Sequence, residues 1–145
     1  MRRATWIALA LAVALSAAGV WADDLRGTNQ FLCTSVQATR CAEGGDCVVD
    51  LPWNLNVPQF IEVNLDAKRL ATTKASGENR ATPITHLTRE GGLIVLQGLE
   101  NGRAFSFVIT EETGRLAVAV ATEGKAVAVF GACTPLPVAA APAGK

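Results

Sequence analysis

The chain has no Tyr, one Met, one His and only 6% aromatic residues. With His86 as its sole imidazole, it cannot assemble a His-rich metal site. Four Cys are present but no C-x-x-C, so the spacing of zinc ribbons, dithiol redox centres and c-type haem sites is missing. No metal or cofactor is expected. A surplus of positive charge is also lacking, since Lys+Arg and Asp+Glu both number 13. Nucleic acid and anionic membranes both require a basic patch, so neither is expected as a partner. No G-x-S-x-G elbow surrounds any Ser, and no Gly-rich phosphate loop precedes a helix.

The N-terminus carries an export pattern. Arg2 and Arg3 open the chain, Trp6 to Val20 is uncharged and rich in Ala, Leu and Val, and Val20-Trp21-Ala22 offers small residues at the two positions a signal peptidase reads. Residues 1–22 are therefore expected to be a cleaved signal peptide, with Asp23 the first mature residue. The stretch is shorter than the roughly 20 strongly apolar residues of a membrane span. The first Cys is Cys33, so no lipid-modified Cys follows the cleavage point and no membrane anchor is expected. Loss of Arg2 and Arg3 lowers Lys+Arg from 13 to 11 against 13 acidic residues, a net of −2.

Cys33, Cys41, Cys47 and Cys133 all lie in the mature part, and an even count in an exported chain reads as disulfides. Three pairings are open. Cys41–Cys47 is favoured because it closes a short loop containing Gly44-Gly45, which leaves Cys33–Cys133 to tie the two ends of the domain together.

Turn residues punctuate the C-terminal half at intervals of about 8 to 12 residues, the rhythm of an antiparallel meander. Asn101-Gly102 is a strong two-residue hairpin signal. It sets Glu100 opposite Arg103, Gly98 opposite Phe105, Leu96 opposite Phe107 and Ile94 opposite Ile109. Phe105 can then lie across the bare Gly98. A four-residue loop at Glu111 to Gly114 sets Ile109 opposite Leu116, Phe107 opposite Val118 and Phe105 opposite Val120. The alternative three-residue loop would flip the apolar side outward. A two-residue loop at Glu123-Gly124 sets Val120 opposite Val127 and Val118 opposite Val129. One core face thus crosses four strands and ends on Cys133.

The opposite face carries Val95, Gln97, Ser106, Val108, Ala117, Ala119, Ala121, Ala126, Ala128 and Phe130. A solvent face would carry Lys, Glu and Thr. The simplest expectation is that the domain's own N-terminal region or a loop covers it; the sharper one is a partner or ligand surface.

Upstream, Ile61, Val63 and Leu65 alternate with Glu62, Asn64 and Asp66, a half-buried strand. Phe31 to Ser35, Val48 to Leu51 and Arg69 to Thr73 are further strand candidates. Arg80 to Arg89 reads as extended, with Pro83 marking an edge or bulge. Ala/Pro-rich Pro135 to Lys145 is expected to be a disordered tail. The pattern predicts an all-β single domain over 23–134, an antiparallel meander of about seven or eight strands closed into a small barrel or sandwich.

Candidate sites are few. A Ser-His-Asp set could draw on His86 and Asp66, as an atypical hydrolase, but His86 between Thr85 and Leu87 reads as a surface strand residue. Trp53, flanked by Pro52 and Pro58, reads as a core plug, with a contact anchor as the alternative. Arg80, Arg89, Arg103 and Arg115 fall in or beside turns and read as a solubilising fringe; a carboxylate ligand could use them if they converged. Phe130, Val108, Ala119, Gln97, Trp53 and Ser76 are the candidate contact residues for a protein partner or small ligand. The function expected is non-catalytic binding or an accessory role in the periplasm.

The block Gly92-Leu93-Ile94-Val95-Leu96-Gln97-Gly98, with Asn101-Gly102-Arg103, Glu112-Thr113-Gly114-Arg115-Leu116 and Val129-Phe130-Gly131-Ala132-Cys133-Thr134-Pro135, resembles a group of small exported proteobacterial proteins of unknown function. That resemblance implies a Gram-negative periplasm and brings no activity. Ala75-Ser76-Gly77 is similar to the Ser-Gly turn in the inhibitory loop of periplasmic inhibitors of C-type lysozyme, which are small disulfide-bearing β-barrels. Gln97-Gly98 stands where that family carries a Lys-Gly loop. This second resemblance implies lysozyme inhibition through Ser76.

Overall fold

The computed structural model describes residues 23–137, so the expected signal peptide and residues 138–145 of the expected tail lie outside the described residues. Ten strands follow one another: β1 (Gln30–Ala42), β2 (Cys47–Asp50), β3 (Phe60–Asn64), β4 (Arg69–Thr72), β5 (Ala81–Pro83), β6 (His86–Glu90), β7 (Leu93–Glu100), β8 (Arg103–Thr110), β9 (Arg115–Thr122) and β10 (Lys125–Pro135). Two 3₁₀ turns, Pro52–Leu55 and Lys74–Ser76, interrupt them. All strand pairs are antiparallel, in one sheet of order β5-β4-β3-β1-β10-β9-β8-β7-β6, with β2 also pairing β1.

The sheet curls so that its two edge strands are neighbours in sequence. β5 pairs with β4, and after Ile84 and Thr85 the chain becomes β6 and pairs with β7. This one kinked stretch reads as a single strand in the sequence, which accounts for part of the higher strand count. Pro83 ends β5 at an edge, where a missing N–H costs nothing. Ile84 turns into the core, and Thr85 N–H donates to the Gln97 carbonyl at 2.9 Å, drawing the two edges together.

Every register expected for the meander is present. Ile94↔Ile109, Leu96↔Phe107, Gly98↔Phe105 and Glu100↔Arg103 pair between β7 and β8. Ile109↔Leu116, Phe107↔Val118 and Phe105↔Val120 follow, then Val120↔Val127 and Val118↔Val129. Ile94, Leu96, Ile109 and Val129 are fully buried, alongside Phe31, Val63 and Cys33 from the other half of the sheet. A Cβ on Gly98 would sit 2.4 Å from Phe105 Cζ and 2.8 Å from the Pro83 carbonyl oxygen, so only Gly lets that ring lie there.

β1 is longer than the five-residue strand expected. It pairs β10 along its whole length and, on its other side, first β3 and then β2. Ser35 keeps the inward parity of Phe31 and Cys33; the register then shifts between Ser35 and Gln37, a β-bulge that leaves Val36 and Gln37 both exposed and turns Ala38 inward. The alternation breaks there, which is why the sequence pattern stops at Ser35. Both disulfides join directly paired residues, Cys33–Cys133 across β1 and β10 and Cys41–Cys47 across β1 and β2. Such bonds persist in oxidising compartments. Pro135 and Leu136, expected in the tail, instead join the sheet: Pro135 pairs with Phe31, and Leu136 N–H donates to the Gln30 carbonyl at 3.1 Å.

Candidate functional site

The curled, half-barrel sheet has two differently finished ends. At one, residues 23–29 fold across the opening and Leu25 is fully buried. Leu25 N–H donates to the Glu111 carbonyl at 2.7 Å. Arg89 clamps this segment: its guanidinium donates to the Leu25 carbonyl at 2.9 Å, the Thr28 carbonyl at 3.2 Å and Asn29 Oδ1 at 3.1 Å, and pairs with the Glu111 carboxylate. Residues 23–29 therefore close this end, and among the described residues Phe130, Val108 and Leu99 of the outer face stay exposed.

The other end is open. A cleft of about 70 Å³ opens there, with Ser35 among its lining residues. Its wall is mostly apolar, with Val57, Leu70, Phe105, Phe107, Val118 and Val120 among the lining residues. Ser35 is 1% exposed and its hydroxyl has no hydrogen-bond partner. A buried hydroxyl left unpaired costs about 1–3 kcal/mol.

Three charged residues stand at the mouth. Arg80 grips Glu100 in a fork, Nε to Oε1 at 3.2 Å and Nη2 to Oε2 at 2.6 Å. Thr82 donates its hydroxyl to Glu100 Oε1 at 2.9 Å, and Arg103 Nη2 donates to Oε2 at 3.0 Å. Both arginines also reach the Asn56 carbonyl, at 3.4 and 3.3 Å. Asn56 adopts the left-handed conformation (φ 57°) that ends the first 3₁₀ turn. Burial alone would raise the Glu100 carboxyl, but the hydrogen bonds from Arg80 and Thr82 and the two positive charges outweigh it and hold it below the usual range. Arg80 and Arg103 are therefore not a solvated fringe: each is about four-fifths buried and they converge on one carboxylate. Arg89 belongs to the closed end.

No protein-family model matches this chain, and no curated protein matches it. The site is accordingly read from its own chemistry.

The structure gathers four of the six expected contact residues on one surface. Val108 and Phe130 share one cross-strand row (Val95↔Val108↔Ala117↔Phe130), and Gln97 and Ala119 the next (Gln97↔Ser106↔Ala119↔Ala128). A third row runs Leu99↔Ala104↔Ala121↔Ala126↔Cys41. None of these residues is Asp, Glu, Lys or Arg. Phe130 is 50% exposed and Leu99 60%. Trp53 and Ser76 lie elsewhere, on the two 3₁₀ turns. Trp53 is 47% exposed and plugs nothing; Pro52 is the buried residue of its turn. The Ser76 hydroxyl donates to the Thr73 carbonyl at 2.7 Å and accepts from Glu78 N–H at 3.3 Å. His86 is exposed with Nδ1 3.3 Å from Thr85 Oγ1, whereas Asp66 accepts from Asn29 Nδ2 at 2.8 Å. Among the described residues no hydrogen bond joins His86 to Asp66.

Sequence reasoning missed Ser35 and the gathering of Arg80, Glu100 and Arg103. The Asn101-Gly102 hairpin does place Glu100 against Arg103. Arg80 arrives only through the curl that brings β5 beside β7.

Proposed function

We propose that this chain is an exported, non-catalytic binding protein that holds a small, largely apolar ligand in its open end. The observation that carries the reading is Ser35: a buried hydroxyl without a partner among the described residues, in the lining of a mostly apolar cleft. Native structures pair nearly all such groups, so an unpaired one facing a cleft points to a ligand atom that pairs it. Convergent polar groups in an apolar pocket are the common form of a small-molecule site. The test is an NMR screen of apolar fragments against the labelled protein. Amide shifts clustered at Ser35, Val118 and Val120 support the reading, and a screen in which no fragment moves them overturns it.

The two disulfides and the N-terminal export pattern support a periplasmic location. An intact mass beginning at Asp23 and short of four hydrogens, measured on protein from the cell envelope, tests that placement.

The outer face favours a second reading, an accessory protein that attaches to another protein. Three rows crossing five strands span about 19 Å by 14 Å, roughly 270 Å², from ordinary strand spacings. Each side of a stable complex buries about 800 Å². The face by itself therefore supports weak attachment only, and the cleft is preferred. Phe130→Asp would abolish partner capture under this second reading while leaving fragment binding in the cleft intact.

A further inference from the structure

We propose that the ligand of the open end is a small organic monoanion, with an apolar body seated against Leu70, Phe105 and Val120 and a carboxylate held at the mouth by Arg103. The proposal rests on the cleft-binding reading above and adds the charge and polarity of the ligand.

Arg80, Glu100 and Arg103 are the charges that line the cleft, a net of one positive. Arg80 and Glu100 satisfy each other in a fork, a neutral unit. Glu78 approaches Arg80 at 3.6 Å and is not part of the lining. Arg103 is the residual cation. It gives one N–H to Glu100 and one to the Asn56 carbonyl at 3.3 Å, and its Nε donates to nothing among the described residues. A guanidinium offers five N–H groups in a planar fork suited to a carboxylate. Its side chain is 21% exposed and stands beside an apolar wall, where solvent compensates a charge poorly.

A second negative charge on the ligand would meet Glu100, so the site favours a monoanion over a dianion. A neutral apolar molecule would leave Arg103 as it is and gain only from the wall. Ser35 and Arg103 both stand among the mostly apolar side chains that line the cleft, so a ligand with an apolar body and a polar head meets both kinds of wall. Carboxylates with a short aliphatic or aromatic body match that order of chemistry.

The experiment titrates the labelled protein with octanoate and, separately, with 1-octanol. Octanoate is expected to shift the amides of Ser35, Phe105 and Val120 and to bind about tenfold more tightly than the alcohol, the effect of one charge-assisted contact. Arg103→Gln should remove that advantage and bring the affinities for octanoate and octanol together. Equal affinity for acid and alcohol would overturn the monoanion proposal and leave the apolar cleft standing. Absence of any shift with either probe would overturn both. Should Arg103→Gln fail to fold, the unaltered protein decides: octanoate affinity must fall as the acid protonates below about pH 5. An affinity constant through that range would sink the proposal.

Discussion

At its closed end the barrel is finished by its own N-terminal segment, and at its open end by side chains alone. Leu25 fills the closed end with no exposed surface, and Arg89 spends its guanidinium on backbone carbonyls, the Asn29 side chain and one carboxylate. At the open end Phe105, Val120 and Val127 are only partly buried, Ser35 is unpaired, and two arginines share Glu100. One end maximises burial; the other keeps apolar and polar surface that folding alone would have covered. Packing is thus divided between the two ends, and each should respond differently to substitution.

The largest effect is expected from the disulfides. Cys33–Cys133 joins residues 100 apart, and opening it with paired Cys→Ala changes should cost about 4 kcal/mol in the chain-entropy view. Cys41–Cys47, which spans 6, should cost about half of that. Denaturant midpoints of the two double variants give the ratio. Equal losses would mean that local strain, not loop closure, sets the values.

Leu25→Ala should come next, at about 3 kcal/mol, because it opens a cavity in a fully buried site. Val120→Ala at the open end should cost less than about 1 kcal/mol, since that side chain already borders the cleft. If the two losses were alike, the ends would not differ in packing.

Gly98→Ala tests how the open end is shaped. The added Cβ meets the Phe105 ring and the Pro83 carbonyl oxygen, and the backbone contact cannot swing aside. A loss of about 2 kcal/mol is expected, with Phe105 displaced into the cleft and ligand binding weakened.

The legibility of the molecule follows the same division. Registers from β7 to β10 could be read because an Asn-Gly turn, a one-sided apolar pattern and short loops leave a single consistent pairing. Gly98 under Phe105 came with them. The bulge at Ser35 could not be read, since it breaks the alternation on which the reading depends. The closed end escaped as well: Leu25 stands alone in a polar stretch, and its burial arises from contacts with Arg89 and Glu111, 64 and 86 positions away. Placing four contact residues on one outer face needed only strand parity. The hairpin alone places Glu100 against Arg103, but bringing Arg80 to them needed the curl of the sheet, which no local pattern encodes.

Ser35→Ala sharpens the contrast in the opposite direction. Removing an unpaired hydroxyl should stabilise the protein by about 1 kcal/mol, a rise of about 4 °C in Tm for a domain of this size. The same change at a paired serine would lower Tm. A fall here would mean that the hydroxyl has a partner in solution and would remove the main support for the cleft as a site.

The smallest effect is the pH dependence of Glu100. Its folded carboxyl titrates below the ordinary Glu value, so it contributes stability above the unfolded range, near pH 4.5. That contribution is lost as pH falls through the folded value, and it is absent below both. Glu100→Gln keeps the shape, removes the titration and leaves two guanidiniums facing one another. With a fifth of the Glu100 side chain exposed, solvent screens the pair, and a loss of about 1 kcal/mol at pH 7 is expected. Measured from pH 7 to pH 3, the gap in Tm between the unaltered protein and the variant should narrow, most steeply below pH 4.5. A gap constant across that range would mean that Glu100 is held by geometry rather than by charge, and the open end would then carry no electrostatic selectivity of its own.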